Sequence, residues 1–247
     1  MCFFVTSDIP RVIAMEQSPL NIVASKIIDR IQTLDKVNNK PLVIAIDGGS
    51  GSGKSSIAAI IAKQLNVTLV VTDDFYAAEI TNEGWRERPY KERATDAINW
   101  RSLRSNVLEQ LIRGVPAKWN SFDFNAGVRP DGTYSVNSEF IKYFRNDIII
   151  LEGAYSARPE LSDLINFKIL VDVPVKIRHR RLRQREKNRF LTQWHEMWDE
   201  AEQYYFREVR PASSFDMIIK IFNTKKGFYQ DNRNNKKTDS NIVFIRL

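Results

Sequence analysis

A glycine-rich stretch, IDGGSGSGKSS at residues 46–56, constrains the fold of this chain more than any other feature. Gly48, Gly53, Lys54 and Ser55 fit the spacing G-x-x-x-x-G-K-[ST] without a mismatch. The apolar run LVIAI precedes the stretch and a helical pattern follows it, so we expect a strand, a tight loop and a helix in that order. Glycines allow successive backbone N–H groups to point inward, and the helix directs its positive end to the same place. The stretch therefore predicts a loop that binds the phosphates of a nucleoside triphosphate.

Each residue type in this phosphate loop has an expected role. The Lys54 amino group would reach the β- and γ-phosphates, and the Ser55 hydroxyl would bind Mg²⁺. A glycine-rich turn without a ligand is the alternative, and the strand–loop–helix context argues against it. The residues expected to contact the nucleotide are Gly48, Gly49, Ser50, Gly51, Ser52, Gly53, Lys54, Ser55 and Ser56.

Short apolar runs alternate with helical patterns along the rest of the chain, which indicates βαβ units and a mainly parallel sheet. The predicted fold is therefore the three-layer α/β sandwich of P-loop NTPases, with helices on both faces of the sheet. The predicted strands cover residues 42–46, 67–72, 147–152, 167–173 and 215–222. One predicted helix begins at Ser18-Pro19, and the others cover residues 54–65, 94–113, 158–165, 174–187 and 191–209.

Composition restricts the class of protein and its partners. Of 247 residues, 43% are hydrophobic and 27% are charged, with a net charge of +7 and one cysteine. No apolar stretch approaches the ~20 residues of a membrane span, and a single cysteine excludes a disulfide within the chain. We therefore expect a cytoplasmic protein without membrane association and with anionic partners.

Composition also divides the chain into three parts. We expect an N-terminal extension at residues 1–17, a nucleotide-binding domain at residues 18–222 and a C-terminal part at residues 223–247. Within the last part, the Asn- and Lys-rich residues 223–241 are typical of a flexible loop, and IVFIRL predicts a final short strand.

Motifs outside the phosphate loop narrow the class of nucleotide-binding protein. The sequence lacks the Asn-Lys-x-Asp stretch of GTPases, the Leu-Ser-Gly-Gly-Gln stretch of ABC ATPases and the His-Arg-Asp and Asp-Phe-Gly motifs of protein kinases. Instead, VTDDFYAA includes the end of the second predicted strand, and SFDF, ILEGAY and VDVPVKIRHRRLRQRE occur later. From about residue 40 to residue 221 the chain resembles the uridine kinase and phosphoribulokinase-type family of small-molecule P-loop kinases. The resemblance implies Mg²⁺-dependent transfer of the γ-phosphoryl group of ATP to a hydroxyl of a small molecule, with a nucleoside such as uridine or cytidine as the expected acceptor.

The resemblance also implies roles for carboxylates. Asp73, in the Asp-x-Phe-Tyr stretch, would accept the proton of the acceptor hydroxyl and share in binding Mg²⁺. Asp74 is the alternative base, because the sequence does not show which of the two side chains turns inward. Glu152, at the end of an apolar strand, would help to hold Mg²⁺ through water. A helix-capping Asp-Asp pair and an ordinary carboxylate at a strand end are the alternative interpretations.

One segment interrupts the alternation of strands and helices. Residues 117–125 and 133–137 are typical of two hairpin strands, with a turn at residues 130–132. We expect this hairpin at the edge of the sheet, over the acceptor pocket.

Five residues are expected to line that pocket. Tyr76, Trp119 and Phe122 would offer aromatic faces on which a nucleobase could stack. The resemblance assigns contacts with the acceptor's sugar or neighbouring polar groups to Asp96 and Asp123.

The most basic stretch of the chain, KIRHRRLRQREKNR, predicts a helix on which Arg178, Arg181, Arg185 and Arg189 share one face. The resemblance places a mobile lid at about residues 176–195, where arginines would neutralise the charge of the triphosphate. Arg181 and Arg185 are the candidates for a catalytic role and Arg189 for nucleotide binding. A helix that binds nucleic acid and a merely solvated helix face are the alternatives.

Three parts of the sequence depart from the pattern of uridine kinases. Gly127 stands where a histidine that contacts the base is usual, Phe122 stands where a tyrosine is usual, and ATDA at residues 94–97 replaces His-Pro-Asp-Ala. These changes leave the acceptor open, so a kinase of another hydroxyl compound, such as a sugar, a vitamin precursor or an antibiotic, is the second hypothesis.

A non-catalytic ATP-binding regulator and a nucleic-acid-associated ATPase are hypotheses from different classes. Asp73 and Glu152 argue against a protein that only binds ATP. The expected partner is thus a small-molecule hydroxyl acceptor and not nucleic acid. The resemblance is compatible with a homo-oligomer, but the sequence indicates no interface residues.

Overall fold

The computed structural model describes residues 19–35, 40–187, 191–222 and 242–246. The expected N-terminal extension, the N-cap Ser18, the Asn- and Lys-rich segment and Arg189 lie outside the described residues. The division of the chain into three parts therefore stays a prediction.

The described chain alternates strands and helices as the sequence predicts. The strands are β1 Leu42–Asp47, β2 Val67–Val71, β3 Ala117–Phe122, β4 Val136–Tyr143, β5 Ile148–Glu152, β6 Phe167–Asp172, β7 Met217–Phe222 and β8 Ile242–Arg246. The helices are α1 Pro19–Gln32, α2 Lys54–Gln64, α3 Asn82–Glu87, α4 Tyr90–Asp96, α5 Trp100–Ser102, α6 Glu109–Ile112, α7 Val175–Glu186 and α8 Thr192–Tyr204. Two segments with π-helical hydrogen bonding, Leu103–Leu108 and Tyr205–Val209, continue α5 and α8.

Six of the described strands form one sheet in the order β2-β5-β1-β6-β7-β8. Each neighbouring pair is parallel. Parallel neighbours require crossover connections, which helices supply between most of these strands. Because β1 lies between β5 and β6, the loop that follows it lies beside the C-terminal end of β5. Ligands bind at this edge of α/β sheets.

Side chains alternate between the two faces of the sheet and bury a core on each. On one face, Val43 and Ala45 of β1 join a cluster that includes Leu103 from the π-helical segment and Ala201 of α8. On the other face, Ile44 and Ile46 pack with residues of α1 and α2. All six residues of β1 are buried. Helices therefore cover both faces of the sheet, which confirms the predicted three-layer α/β fold.

The helical predictions differ from the structure in two places. The helix predicted at residues 158–165 is wrong, because only one 3₁₀ turn, Pro159–Leu161, forms there. The buried Arg158 side chain holds this segment, since it donates to the Ala94 carbonyl and pairs with Glu160. The helix predicted at residues 94–113 consists of two pieces, because the chain turns at Asn99, whose side chain caps α5.

Sequence reasoning also missed the short helix α3 and the first four residues of α4. Thr81 caps α3 by accepting the N–H of Gly84, and Trp85 is the one buried side chain of this six-residue helix. None of the described helices is long and apolar enough to cross a membrane.

The predicted hairpin is formed by β3 and β4, which pair antiparallel as a separate two-stranded sheet. The turn at residues 130–132 forms, with the Gly132 N–H donating to the Arg129 carbonyl at 2.9 Å. The second strand lies at Val136–Tyr143 and not at 133–137, because a longer loop precedes it and the register shifts between Asn120 and Phe122. β3 lies against the segment that follows β2.

The ends of β2 and β5 approach too closely for any side chain at Gly153. This glycine has φ +143°, and a Cβ atom there would lie 1.7 Å from the Thr72 hydroxyl oxygen. Gly127 also has a positive φ, +69°, but a Cβ atom there would meet no atom within 4 Å. Substitution at Gly153 would therefore cause both backbone strain and steric overlap, whereas substitution at Gly127 would cause backbone strain alone.

We expect Gly153→Ala to lower the free energy of unfolding by about 2 kcal/mol or more beyond the loss in Gly127→Ala. The control carries only the strain of a positive φ, whereas Gly153→Ala also forces the Thr72 side chain and the segment after β2 to shift. Urea unfolding of both variants measures the difference. Equal losses in the two variants would contradict the close packing of β2 and β5.

Candidate active site

The predicted phosphate loop connects the end of β1 to the start of α2. Three of its glycines, Gly48, Gly51 and Gly53, have positive φ values of +152°, +78° and +97°. The Lys54 side chain is almost completely buried and its Nζ lies 3.4 Å from the Gly49 carbonyl oxygen. The backbone thus folds back on the lysine, as a loop that surrounds phosphate groups requires.

Asp47, which sequence reasoning missed, connects the phosphate loop to two distant segments. Its Oδ1 accepts the N–H groups of Gly48 at 2.7 Å and Tyr155 at 2.9 Å. Its Oδ2 accepts the N–H of Ala157 at 3.0 Å and the hydroxyl of Tyr205 at 2.8 Å. Burial raises the pKa of Asp47, and the donors around it stabilise its ionised form. The signal in the sequence was an acidic residue directly after a buried apolar run, because such a residue requires several donors.

Two of the predicted magnesium ligands meet beside the loop. The Ser55 hydroxyl donates to Glu152 Oε2 at 3.2 Å. Burial, with the nearby charges of Asp73 and Asp74, raises the pKa of Glu152 to about 7, although the Lys54 charge opposes this effect. Hydroxyl and carboxylate oxygens are ligands that suit Mg²⁺, which usually takes one or two carboxylates and completes its shell with water and phosphate. Within the described residues no cluster of three or more His, Cys, Asp or Glu side chains could hold a metal alone.

The structure distinguishes the two adjacent aspartates that follow β2. Asp73 is exposed, and its Oδ1 lies 3.4 Å from the place where a Cβ atom of Gly153 would stand. Its side chain therefore lies beside the end of β5, next to Glu152. Asp74 turns toward the hairpin, where its Oδ2 accepts the indole N–H of Trp119 at 2.9 Å. Of the two, Asp73 is the carboxylate open to a substrate at the loop.

The aromatic residues expected to stack on an acceptor pack on one another. The Tyr76 ring lies 4.9 Å from Phe122, 5.3 Å from Trp85 and 5.8 Å from Trp198, between ring centroids. Phe122 also stacks on Tyr134 at 5.4 Å. Phe122 is almost fully buried, because apolar rings gain free energy by burying each other. The expected stacking surface is therefore a closed aromatic cluster in this conformation, and Trp119 lies outside it as a partner of Asp74.

The two aspartates assigned to the acceptor are engaged by the chain itself. Asp96 pairs with Arg88 at 3.3 Å. Asp123 accepts the backbone N–H groups of Asn125 at 2.9 Å and Ala126 at 3.2 Å, which fixes the start of the hairpin loop. None of these contacts joins Asp96 or Asp123 to the phosphate loop.

The arginines of α7 have different environments. Arg181 donates to the phosphate-loop carbonyls of Ser52 at 2.7 Å and Gly51 at 3.3 Å. Arg185 is exposed and pairs with its neighbour Glu186 at 2.9 Å. The structure thus brings one of the two predicted catalytic arginines to the loop and leaves the other in solvent.

Arg178, which the sequence placed on the same helical face without a role, also reaches the loop. Its guanidinium donates to the Ser50 carbonyl at 2.8 Å and pairs with Glu202 of α8 at 2.9 Å. Glu202 was not predicted at all, because nothing in the helical pattern of α8 separates it from surface carboxylates.

Comparison with known proteins agrees with the fold and the motifs. The sequence profile of the phosphoribulokinase / uridine kinase family matches residues 43–226. The chain is 30% identical over 177 residues to a uridine kinase of Bacillus cereus, a match that covers 70% of this chain and 78% of the relative. It is also 33% identical over 151 residues to uridine kinase-like protein 5 of Arabidopsis thaliana, but this match covers 60% of the chain and only 31% of that longer protein.

A solved structure, described as that of a possible uridine kinase from Bacillus stearothermophilus, matches with a TM-score of 0.58. The match covers 81% of this chain and 96% of the other, at 20% sequence identity, and supports the shared fold. The family indicated by the motifs is confirmed, since its profile covers most of the chain. The chain therefore belongs to the phosphoribulokinase / uridine kinase family and is an enzyme that phosphorylates a hydroxyl group of a small acceptor.

Proposed function

We propose that this chain is a cytoplasmic, Mg²⁺-dependent kinase that transfers the γ-phosphoryl group of ATP to a hydroxyl of a nucleoside. The observation that carries the proposal is the contact of Ser55 with Glu152 beside Asp73, where the ends of β1, β5 and β2 meet. The names of the relatives favour a nucleoside such as uridine as acceptor.

The proposed mechanism depends on positioning and on charge neutralisation. Lys54 and the backbone N–H groups of the loop bind the phosphate oxygens, and Arg181 adds positive charge near the same loop. Asp73 accepts the proton of the acceptor hydroxyl as its oxygen bonds to the γ-phosphorus and ADP leaves. Ser55 and Glu152 would hold Mg²⁺, which neutralises the charge of the phosphates when it is bound.

A second candidate, a kinase of another hydroxyl compound, has its own support. Asp96 and Asp123 are engaged by Arg88 and by backbone groups, and the aromatic residues of the pocket pack together. Gly127 has no side chain that could contact a base, and its Cβ position is open space. These contacts weaken the assignment of uridine without affecting the phosphoryl-transfer groups.

Release of ADP from Mg–ATP, measured against a panel of nucleosides, sugars and vitamin precursors, tests the proposal. We expect stimulation by uridine or cytidine in the wild-type protein and none in Lys54→Ala, because the loop then lacks its phosphate-binding cation. Stimulation by a different hydroxyl compound would support the second candidate. Stimulation by no compound, despite ATP binding, would contradict both and favour a regulator.

For the best acceptor of the panel, we expect Asp73→Asn to lower kcat by about 10²–10⁴-fold, the usual effect of losing a general base. Asp74→Asn is the matched control, because an amide oxygen at this position can still accept the Trp119 N–H. Steady-state kinetics of both variants measure the difference. Full activity in Asp73→Asn, or equal losses in both variants, would remove Asp73 from the mechanism.

The raised pKa of Glu152 predicts a pH-dependent stability of the metal-free protein. Folding raises this pKa from 4.5 to about 7, so the folded state keeps a proton that the unfolded chain releases between these values. The free energy of unfolding therefore falls as pH rises through this range, by about 3 kcal/mol at most. The free energy of unfolding of Glu152→Gln does not fall in this way, because the neutral amide has no proton to release.

We expect the melting temperature of Glu152→Gln to exceed that of the wild type by several degrees at pH 8 and to match it closely near pH 5. Thermal unfolding in EDTA, without nucleotide, measures both. Glu139→Gln, at an exposed position of β4, controls for the loss of a carboxylate. The same pH dependence in wild type and Glu152→Gln would contradict the raised pKa.

A further inference from the structure

Ser50 of the phosphate loop has its three polar groups bound by one pair of side chains. Glu202 Oε1 accepts both the Ser50 N–H and the Ser50 hydroxyl, each at 2.7 Å. Arg178 donates to the Ser50 carbonyl at 2.8 Å. The Ser50 N–H, which sequence reasoning assigned to the nucleotide, is therefore already bound to a carboxylate of the chain.

The pair of side chains that holds Ser50, Arg178 and Glu202, is buried. Glu202 is 3% exposed and Arg178 is 5% exposed, and their side chains join at 2.9 Å. Arg178 also pairs with Asp199 at 3.1 Å. Groups this deeply buried are costly unless each finds a partner, so the whole network must form for α7 and α8 to pack beside the loop.

Gly49 allows this pair to approach the loop. A Cβ atom at Gly49 would lie 2.7 Å from Arg178 Nη1 and 2.7 Å from Glu202 Oε2. A side chain at this position would therefore displace the pair. The absence of a side chain at Gly49 therefore allows α7 and α8 to contact the loop.

We propose that Glu202 is a positioning residue of the kinase, which holds the phosphate loop in its nucleotide-binding shape through Ser50 and couples it to α7 through Arg178. Ser50 is then an anchor of the loop and not a ligand of the nucleotide. The inference rests on the proposed use of this loop for ATP. It adds a function for α8, which carries Glu202 to the loop and Asp199 to Arg178.

The sign of the effect on ATP binding separates positioning from simple electrostatics. Removing a negative charge near a phosphate site strengthens the binding of an anion if charge alone matters. Loss of the hydrogen bonds between Glu202 and Ser50 weakens ATP binding, because part of the binding free energy is then spent on ordering the loop. Glu202→Gln removes the charge, and Glu202→Asp keeps it but shortens the side chain by one methylene, so the carboxylate can no longer reach Ser50.

Titration calorimetry with Mg–ATP, without acceptor and well below the melting temperature of each variant, makes the test. We expect both Glu202→Gln and Glu202→Asp to weaken binding by about tenfold or more, the usual range for a lost hydrogen bond to a charged group. Glu196→Gln, an exposed position on the same helix, is the charge-matched control and should bind as the wild type does. If Glu202→Gln does not fold, Glu202→Asp carries the test.

Ser50→Ala tests whether Glu202 acts through Ser50. We expect the effect of Glu202→Gln to be smaller in the Ser50→Ala background than in the wild type, because residues that act as a unit are not additive. Full additivity, tighter binding in Glu202→Gln, or a lower melting temperature with unchanged ATP affinity would overturn the inference. A wild-type protein that does not bind Mg–ATP would overturn the proposed function as well.

Discussion

The buried carboxylate of Asp47 is the interaction on which the site depends. Four donors from three parts of the chain converge on its two oxygens, including the N–H that begins the phosphate loop and the hydroxyl of Tyr205. A carboxylate without exposure to water requires such donors. These hydrogen bonds fix the position of the loop relative to β5 and the end of α8, and the loss of any one of them would lower the free energy of unfolding. The candidate catalytic and magnesium-binding residues Ser55, Glu152 and Asp73 lie next to this junction, so their spacing depends on it.

Local sequence patterns predicted most of the fold, because the strands and the phosphate loop each give a signal within a short stretch of the chain. Short apolar runs between helical patterns identified the strands of the parallel sheet, and the glycine spacing identified the loop after β1. The helix predicted at residues 158–165 failed because Leu161 and Ile165 are buried with helical spacing although the chain makes only a 3₁₀ turn there. Helix α3 was missed for the opposite reason, since a single buried Trp85 gives no periodic pattern.

The positions of the candidate site residues were predictable where a motif fixes them and not where tertiary contacts do. Lys54, Ser55, Asp73 and Glu152 follow the ends of strands, and the sheet necessarily brings these ends together. The roles of Glu202 and Tyr205 depend on contacts across more than 150 residues, which helical periodicity does not reveal. The packing of Tyr76 and Phe122 on other rings was not predicted, because sequence identifies aromatic residues but not whether their rings face a ligand or each other. The assignment of these residues to the acceptor pocket stays a prediction.

These long-range contacts also determine when the loop becomes complete during synthesis. The partners of Ser50 and Asp47 lie 152 and 158 residues further along the chain. At roughly 5–20 residues per second, a ribosome needs on the order of 10–30 seconds to add them. Throughout that interval the glycine-rich segment has been synthesised without the side chains that hold it in the folded chain. The hydrogen bonds that hold Asp47 and Ser50 in the folded chain are therefore complete only after α8 and the segment that follows it have been synthesised.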